Sequence, residues 1–101
     1  MFQVLLPADA VRTVFISHMR DAGIGVGVHY PAMHLFTLFR QLGYRPGDFP
    51  HAERIGSRTV SLPMFPAMRD GDVDRVLAAM APARAAAIAA GNAGRTGAAG
   101  R

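Results

Sequence analysis

A small α/β (α+β) domain, with three short strands in one sheet covered by helices, is the fold class this 101-residue sequence predicts. Two observations carry that reading. Short β-rich runs at 2–6, 26–30 and 59–62 each stop at a proline, while apolar residues three or four apart mark helices between and after them. Half of the residues are apolar and 18% are charged, which fits one globular unit with a polar or low-complexity remainder. A chain of this size buries only about two thirds of its unfolded surface, so the core must draw on nearly all the Phe, Leu, Val and Met present.

The run Phe2-Gln-Val-Leu-Leu6 is closed by Pro7 and opens almost at the first residue, as in a reading frame that starts inside a larger protein. Asp9 is placed to N-cap a helix over about 10–22, whose inward positions are Val11, Val14, Phe15, His18 or Met19, and Ala22. Gly23 supplies its stop. Val26-Gly-Val-His-Tyr30 alternates and ends at Pro31, and its glycine side admits a close backbone or ligand. Leu35, Phe36, Leu38, Phe39 and Leu42 make a short aromatic helix ending at Gly43; Tyr44 to Pro50 is loop, and a short helix covers 50–57. After the strand 59–62, cut off by Pro63 and Pro66, Asp70, Asp72 and Asp74 crowd the start of a last helix over about 71–81. From Ala83 the chain is mostly Ala, Gly and Arg. The organisation expected is therefore a folded unit at 1–82 and a tail at 83–101, helical to about Ala90 and unstructured over 91–101.

Composition excludes several chemistries. Zero Cys removes disulfides, thiolate zinc sites and cysteine nucleophiles, and suits a reducing, cytoplasmic setting. All eleven cationic side chains are Arg, so no lysine can form a Schiff base. The net charge of +4 includes Arg84, Arg95 and Arg101 of the acid-free tail; without them it is 4 − 3 = +1, and the remaining charges alternate in sign. That is a mixed solvated surface, and no nucleic-acid partner is expected. Nor is a membrane, because no apolar run approaches the roughly 20 residues needed to span one.

The candidate site residues are His29, Tyr30, His34 and Arg58. Two imidazoles and a phenol at a strand-to-helix junction beside glycines could line a pocket, or could satisfy backbone groups at the turn; spacing alone favours the second. Arg58 could clamp a carboxylate, or sit in a surface salt bridge. His29 and His34 are five apart across Pro31 and His51-Ala-Glu53 lacks the Cys pair of a zinc deaminase, so no metal site is expected. Gly23-Ile-Gly-Val-Gly27 follows a helix instead of opening one, unlike a phosphate loop.

Taken together, Phe2-Gln-Val-Leu-Leu, Met19-Arg-Asp-Ala-Gly-Ile-Gly-Val-Gly-Val-His-Tyr-Pro-Ala-Met-His34, Phe49-Pro-His-Ala-Glu53, Ser61-Leu-Pro-Met-Phe-Pro-Ala-Met68 and Asp72-Val-Asp-Arg-Val76 resemble the C-terminal part of the DegT/DnrJ/StrS-type sugar aminotransferases. The resemblance covers about residues 1–81, with matching order and spacing. It implies the small C-terminal domain of a fold-type-I enzyme that uses pyridoxal phosphate to move an amino group, usually from glutamate, onto a keto sugar carried on a nucleotide. It also implies homodimers with active sites between subunits, and an N-terminal catalytic part bearing the cofactor lysine. That part is expected, on this resemblance, to lie outside this sequence. By resemblance, His29 and Tyr30 approach the nucleotide sugar with His34 behind them, and Arg58 is a carboxylate anchor. This chain would supply substrate-side enclosure, hold no pyridoxal phosphate by itself and be inactive alone. The alternatives are a standalone interaction module that docks on a separate aminotransferase half or homologue, and a small ligand-binding domain unrelated to transamination. A piece of a larger protein should also expose apolar side chains, Phe36, Phe39, Met64 and Phe65 among them.

Overall fold

The computed structural model describes residues 2–99, and side chains over residues 2–93. The element order is β1 (Phe2–Leu5), α1 (Arg12–Asp21), a 3-10 turn (Met33–Leu35), α2 (Thr37–Gln41), α3 (Pro50–Arg58), β2 (Thr59–Leu62) and α4 (Asp70–Ala99). β1 and β2 pair antiparallel, Phe2 opposite Leu62 and Leu5 opposite Thr59. One side of this ribbon packs on α1 and α4: Leu6, Phe15, Met19, Ile24, Val60, Leu62, Val76, Ala83 and Ala87 are all buried together. Phe15, Met19 and Val60 are the largest side chains fully removed from water.

The sheet corrects the expected three strands to two. Residues 26–30 join β2 only through a single bridge between Gly27 and Ser61. The physical reason is composition: Gly25 and Gly27 offer no side chains to pack on a pleated surface, and Pro31 has no N–H to extend a ladder.

α1 also starts later than expected. Its cap residue is Val11, no side chain caps it, and Asp9 lies outside in the preceding turn. What fixes its start is tertiary, since the Val11 N–H donates to the Ala87 carbonyl of α4 at 3.0 Å. Its end follows local chemistry. Gly23 takes φ +81°, its N–H donates to Arg20 O at 2.9 Å and the Ile24 N–H to Met19 O at 2.9 Å, which closes the last turn over the buried Met19–Ile24 contact. Gly43 ends α2 in the same way, with φ +105° and the Tyr44 N–H donating to Phe39 O at 3.3 Å.

α4 is the longest element. The Asp72 carboxylate accepts the Arg69 N–H at 3.0 Å and satisfies a donor that the first turn leaves open. The helix passes Pro82 and runs on to Ala99, beyond the Ala90 at which alanine propensity alone would stop it. Packing holds the helix as far as Gly91. Ala83 and Ala87 are fully buried, and at Gly91 a Cβ would stand 1.8 Å from Asp9 O, so only glycine admits that backbone. Residues 100 and 101 of the expected tail lie outside the described residues. The stretch Asp70–Ala93 is, by length and composition, long and apolar enough to cross a membrane, contrary to the expectation from apolar runs. Alanine produces this, by raising the average without supplying long apolar side chains.

Candidate functional site

β2 builds the site. Val60 and Leu62 face the core, Thr59 and Ser61 the opposite side, and all four are buried. The Ser61 N–H donates to Gly27 O at 2.7 Å and the Gly27 N–H to Ser61 O at 3.1 Å, which carries the chain across the strand. His29 then lies over the serine, its Nδ1 2.7 Å from Ser61 Oγ. A Cβ at position 27 would crowd the His29 ring at 3.0 Å, closer than ordinary van der Waals contact. The close neighbour on the glycine side is thus the protein's own imidazole. From β1, the Gln3 amide donates to the His29 carbonyl. A cis peptide joins His29 to Tyr30, whose ring stands edge-on to the imidazole at 5.0 Å and is 66% exposed. These residues border an open cleft of about 400 Å³ lined by Gly25, Gly27, His29, Ser61, Pro63 and Met64.

Ser61 and His29 form a hydroxyl–imidazole pair, yet the serine is 5% exposed and, among the described residues, no acid orients the ring from its other nitrogen. That rules against a nucleophile and general base. With Nδ1 engaged by a hydroxyl that can donate or accept, Nε2 is the ring atom left for a ligand. The site can hydrogen-bond and enclose.

The other two candidate residues lie elsewhere. His34 is buried in the 3-10 turn, with Nε2 3.1 Å from Glu53 Oε2, and the same carboxylate accepts the Gly47 N–H at 2.8 Å and 3.1 Å. Its ring packs edge-on to Phe49 at 5.0 Å and borders a separate aromatic groove with Met33, Phe39 and Tyr44. The Arg58 Nε donates to Leu6 O at 2.6 Å while the Arg58 carbonyl accepts the Leu6 N–H, which ties the end of α3 to β1. Of the four, His29 lines the cleft with Tyr30 next to its ring, and His34 and Arg58 lie away from it.

Sequence reasoning missed Ser61, Gln3, Glu53 and Arg12. The alternation of β2 could have found Ser61, since Val60 and Leu62 claim the core. Nothing local marks Arg12, whose Nη1 donates to Gly56 O at 2.5 Å and Thr59 O at 3.3 Å. Gly56 admits the site segment to α3: a Cβ there would stand 2.5 Å from Ala32 N. Among the described residues, no group of three or more His, Asp or Glu could hold a metal ion. Met64, Phe65 and Phe36 are exposed at 65%, 50% and 43%, and Phe39 is half-buried.

Comparison with known proteins bears on the family and the fold. Over 84 residues the chain is 43% identical to the uncharacterized protein MJ1066 of Methanocaldococcus jannaschii, covering 79% of this chain and 22% of that one. Over 75 residues it is 39% identical to the spore coat polysaccharide biosynthesis protein SpsC of Bacillus subtilis, covering 72% and 19%. The fold matches the Streptococcus pneumoniae protein Spr1654, a candidate sugar aminotransferase, with a TM-score of 0.82 in its apo form and 0.77 in its PMP form. Identity there is 20% and 22%, with 90% and 82% of this chain covered against 23% and 21% of the other. The chain spans about a fifth of the length of these relatives. The model of the DegT/DnrJ/EryC1/StrS aminotransferases matches residues 1–81, most of the sequence, and the chain belongs to that family.

Proposed function

We propose that residues 1–82 form the substrate-side lobe of a sugar aminotransferase, enclosing a nucleotide-linked keto sugar while amino transfer takes place on a lysine-bearing part outside this chain. The observation that carries this reading is the cleft at β2, where Ser61 and Gln3 fix His29 and leave Tyr30 exposed beside it. His29 Nε2 and the Tyr30 phenol orient polar groups of the substrate. His34 acts behind them by holding the 33–49 segment through Glu53, and Arg58 acts through its hold on β1.

The family is one of pyridoxal-phosphate-dependent aminotransferases, and that cofactor supplies the electron sink of transamination. The side chains present do not fit a covalent hold on it. Every basic side chain besides histidine is Arg, whose guanidinium stays protonated, and no lysine exists. No step is assigned to the cofactor on this chain. An amino donor, a homologous subunit completing the site and a cytoplasmic setting belong to the same reading. The helical segment from position 83 carries Ala83 and Ala87 into the core that supports this lobe.

Borohydride reduction of the full chain with pyridoxal phosphate should label nothing beyond the N-terminal amine. Glutamate-dependent amination of a nucleotide keto sugar should arise when a lysine-bearing aminotransferase part is added, and His29→Ala should then raise KM for the sugar about tenfold, as expected for one lost polar contact. Stoichiometric internal labelling, or amination by this chain alone, would overturn the proposal. The many exposed apolar side chains favour a second reading, an interaction module that docks on such a part without lining its site. In that case binding persists and KM is indifferent to His29.

A further inference from the structure

We propose that β1 pairs with β1 of a second copy of this chain, joining two ribbons into one four-stranded antiparallel sheet. The hydrogen-bond pattern of the ribbon decides which groups are available. Leu6 N–H donates to Arg58 O, and Ser61 turns its N–H and C=O to Gly27, away from β1. Phe2, Val4 and Leu6 therefore use their backbone on the β2 side, and Gln3 and Leu5, opposite Ser61 and Thr59, direct N–H and C=O to the open edge. No partner occupies those groups among the described residues.

Such an edge is self-complementary. A twofold axis through Val4 sets Gln3 against Leu5 of the other copy and Leu5 against its Gln3, each pair exchanging N–H and C=O in both directions. The same register sets Phe2 of one copy beside Leu6 of the other, on the face where Val4, Leu6, Phe15, Leu77 and Met80 line a groove of about 550 Å³. Phe2, Leu5 and Leu77 are more than half exposed in the single chain, at 56%, 54% and 59%. Residues 2–6 carry no charge, no proline and no bulge, the devices that protect natural edges, so no like charges meet between the two paired strands; Arg84 at the border of the groove is the nearest cation.

The area sets the strength. Covering those side chains and the edge backbone on both copies removes on the order of 800–1,000 Å² in all, below the roughly 1,200 Å² at which stable interfaces begin. The dimer is accordingly weak, with a dissociation constant on the order of 100 μM.

The test is sedimentation of the full chain from about 10 μM to about 1 mM, with amide hydrogen exchange read by residue. The average mass should rise toward that of a dimer, exchange at Gln3 and Leu5 should slow about fivefold or more with concentration, and Val4, already bonded within the ribbon, should not change. Leu5→Lys should weaken association at least about tenfold. Protection at Val4 reports that the ribbon has formed; if this variant fails that check, Gln3→Pro serves instead, because the N–H it removes makes no bond within the chain. A monomer at the highest concentration would overturn the proposal. So would a dimer that survives both variants with exchange at Gln3 and Leu5 unchanged, or protection at those amides that arises only when a lysine-bearing aminotransferase part is added. None of these outcomes depends on amino transfer.

Discussion

All four residues of β2 are buried, whereas every residue from 41 to 50 is exposed. The first region is held by packing on both sides: Val60 and Leu62 against α1 and α4, Thr59 and Ser61 under the 25–32 segment and α3. The second is held by two polar ties, the clasp of the Glu53 carboxylate between His34 and the Gly47 N–H and the Asp48 carboxylate on the Arg45 N–H at 2.8 Å, with Tyr44 and Phe49 leaning on each other at 6.0 Å. The difference separates a framework held by its own core from an outer hairpin, the 41–50 turn between α2 and α3, that has little core of its own. The cleft at His29 lies on the framework side, so its geometry should tolerate loosening of the hairpin.

The comparison breaks most completely at Phe15. Its side chain is 1% exposed at the centre of the core, and Phe15→Ala should cost about 3–5 kcal/mol through lost burial and the cavity left behind. In a chain of this size that is a large share of total stability. Thermal unfolding followed by circular dichroism should show the native transition lost or lowered by more than about 10 °C. A shift of a degree or two would mean that the core is not where the framework gets its stability.

Gly56→Ala joins the two regions in one experiment. The added methyl group would enter the space of the Ala32 N–H and the Pro31 carbonyl carbon, at 2.5 Å and 3.0 Å. Backbone cannot swing aside as a side chain does, so α3 and the 31–34 segment must part, at a cost of about 1–3 kcal/mol. Chemical shifts should move at His29, His34 and Glu53 together. If only residues next to position 56 respond, the close approach does not control the cleft.

What the sequence made legible divides along the same line. The strand at 59–62 and the stops at Gly23 and Gly43 were readable because prolines and left-handed glycines act locally. His29 and Tyr30 were readable as neighbours for the same reason. The third strand was misread because alternation at 26–30 carries no information on glycine's failure to pack. The His34–Glu53 pair, nineteen positions apart, and the Arg12 contacts to Gly56 and Thr59 left no periodic trace. The docking of α4 on α1 left no trace either, because it rests on Ala87 and Gly91 being small enough for the Val11 and Asp9 backbone to reach them, a tertiary fact.

The smallest effect is expected at Glu53, and it is the sharpest test of the clasp. Glu53→Ala removes the acceptor for the Gly47 N–H and the partner of His34 Nε2, leaving a ring that is 7% exposed without its hydrogen bond. The carboxylate is itself 24% exposed, so water recovers part of the loss and the local cost should be about 1–2 kcal/mol. Glu53→Gln keeps the shape, and its amide oxygen can still accept from Gly47, so it should retain most of the hairpin's order. Hydrogen exchange at Gly47 should therefore accelerate about tenfold in the alanine variant and much less in the glutamine variant, while amides of β2 stay protected in both. Equal acceleration at Gly47 and at Val60 would show that the hairpin and the framework open as one unit. Exposure of 41–50 would then reflect only its position on the surface, and the cleft at His29 would depend on a carboxylate it never touches.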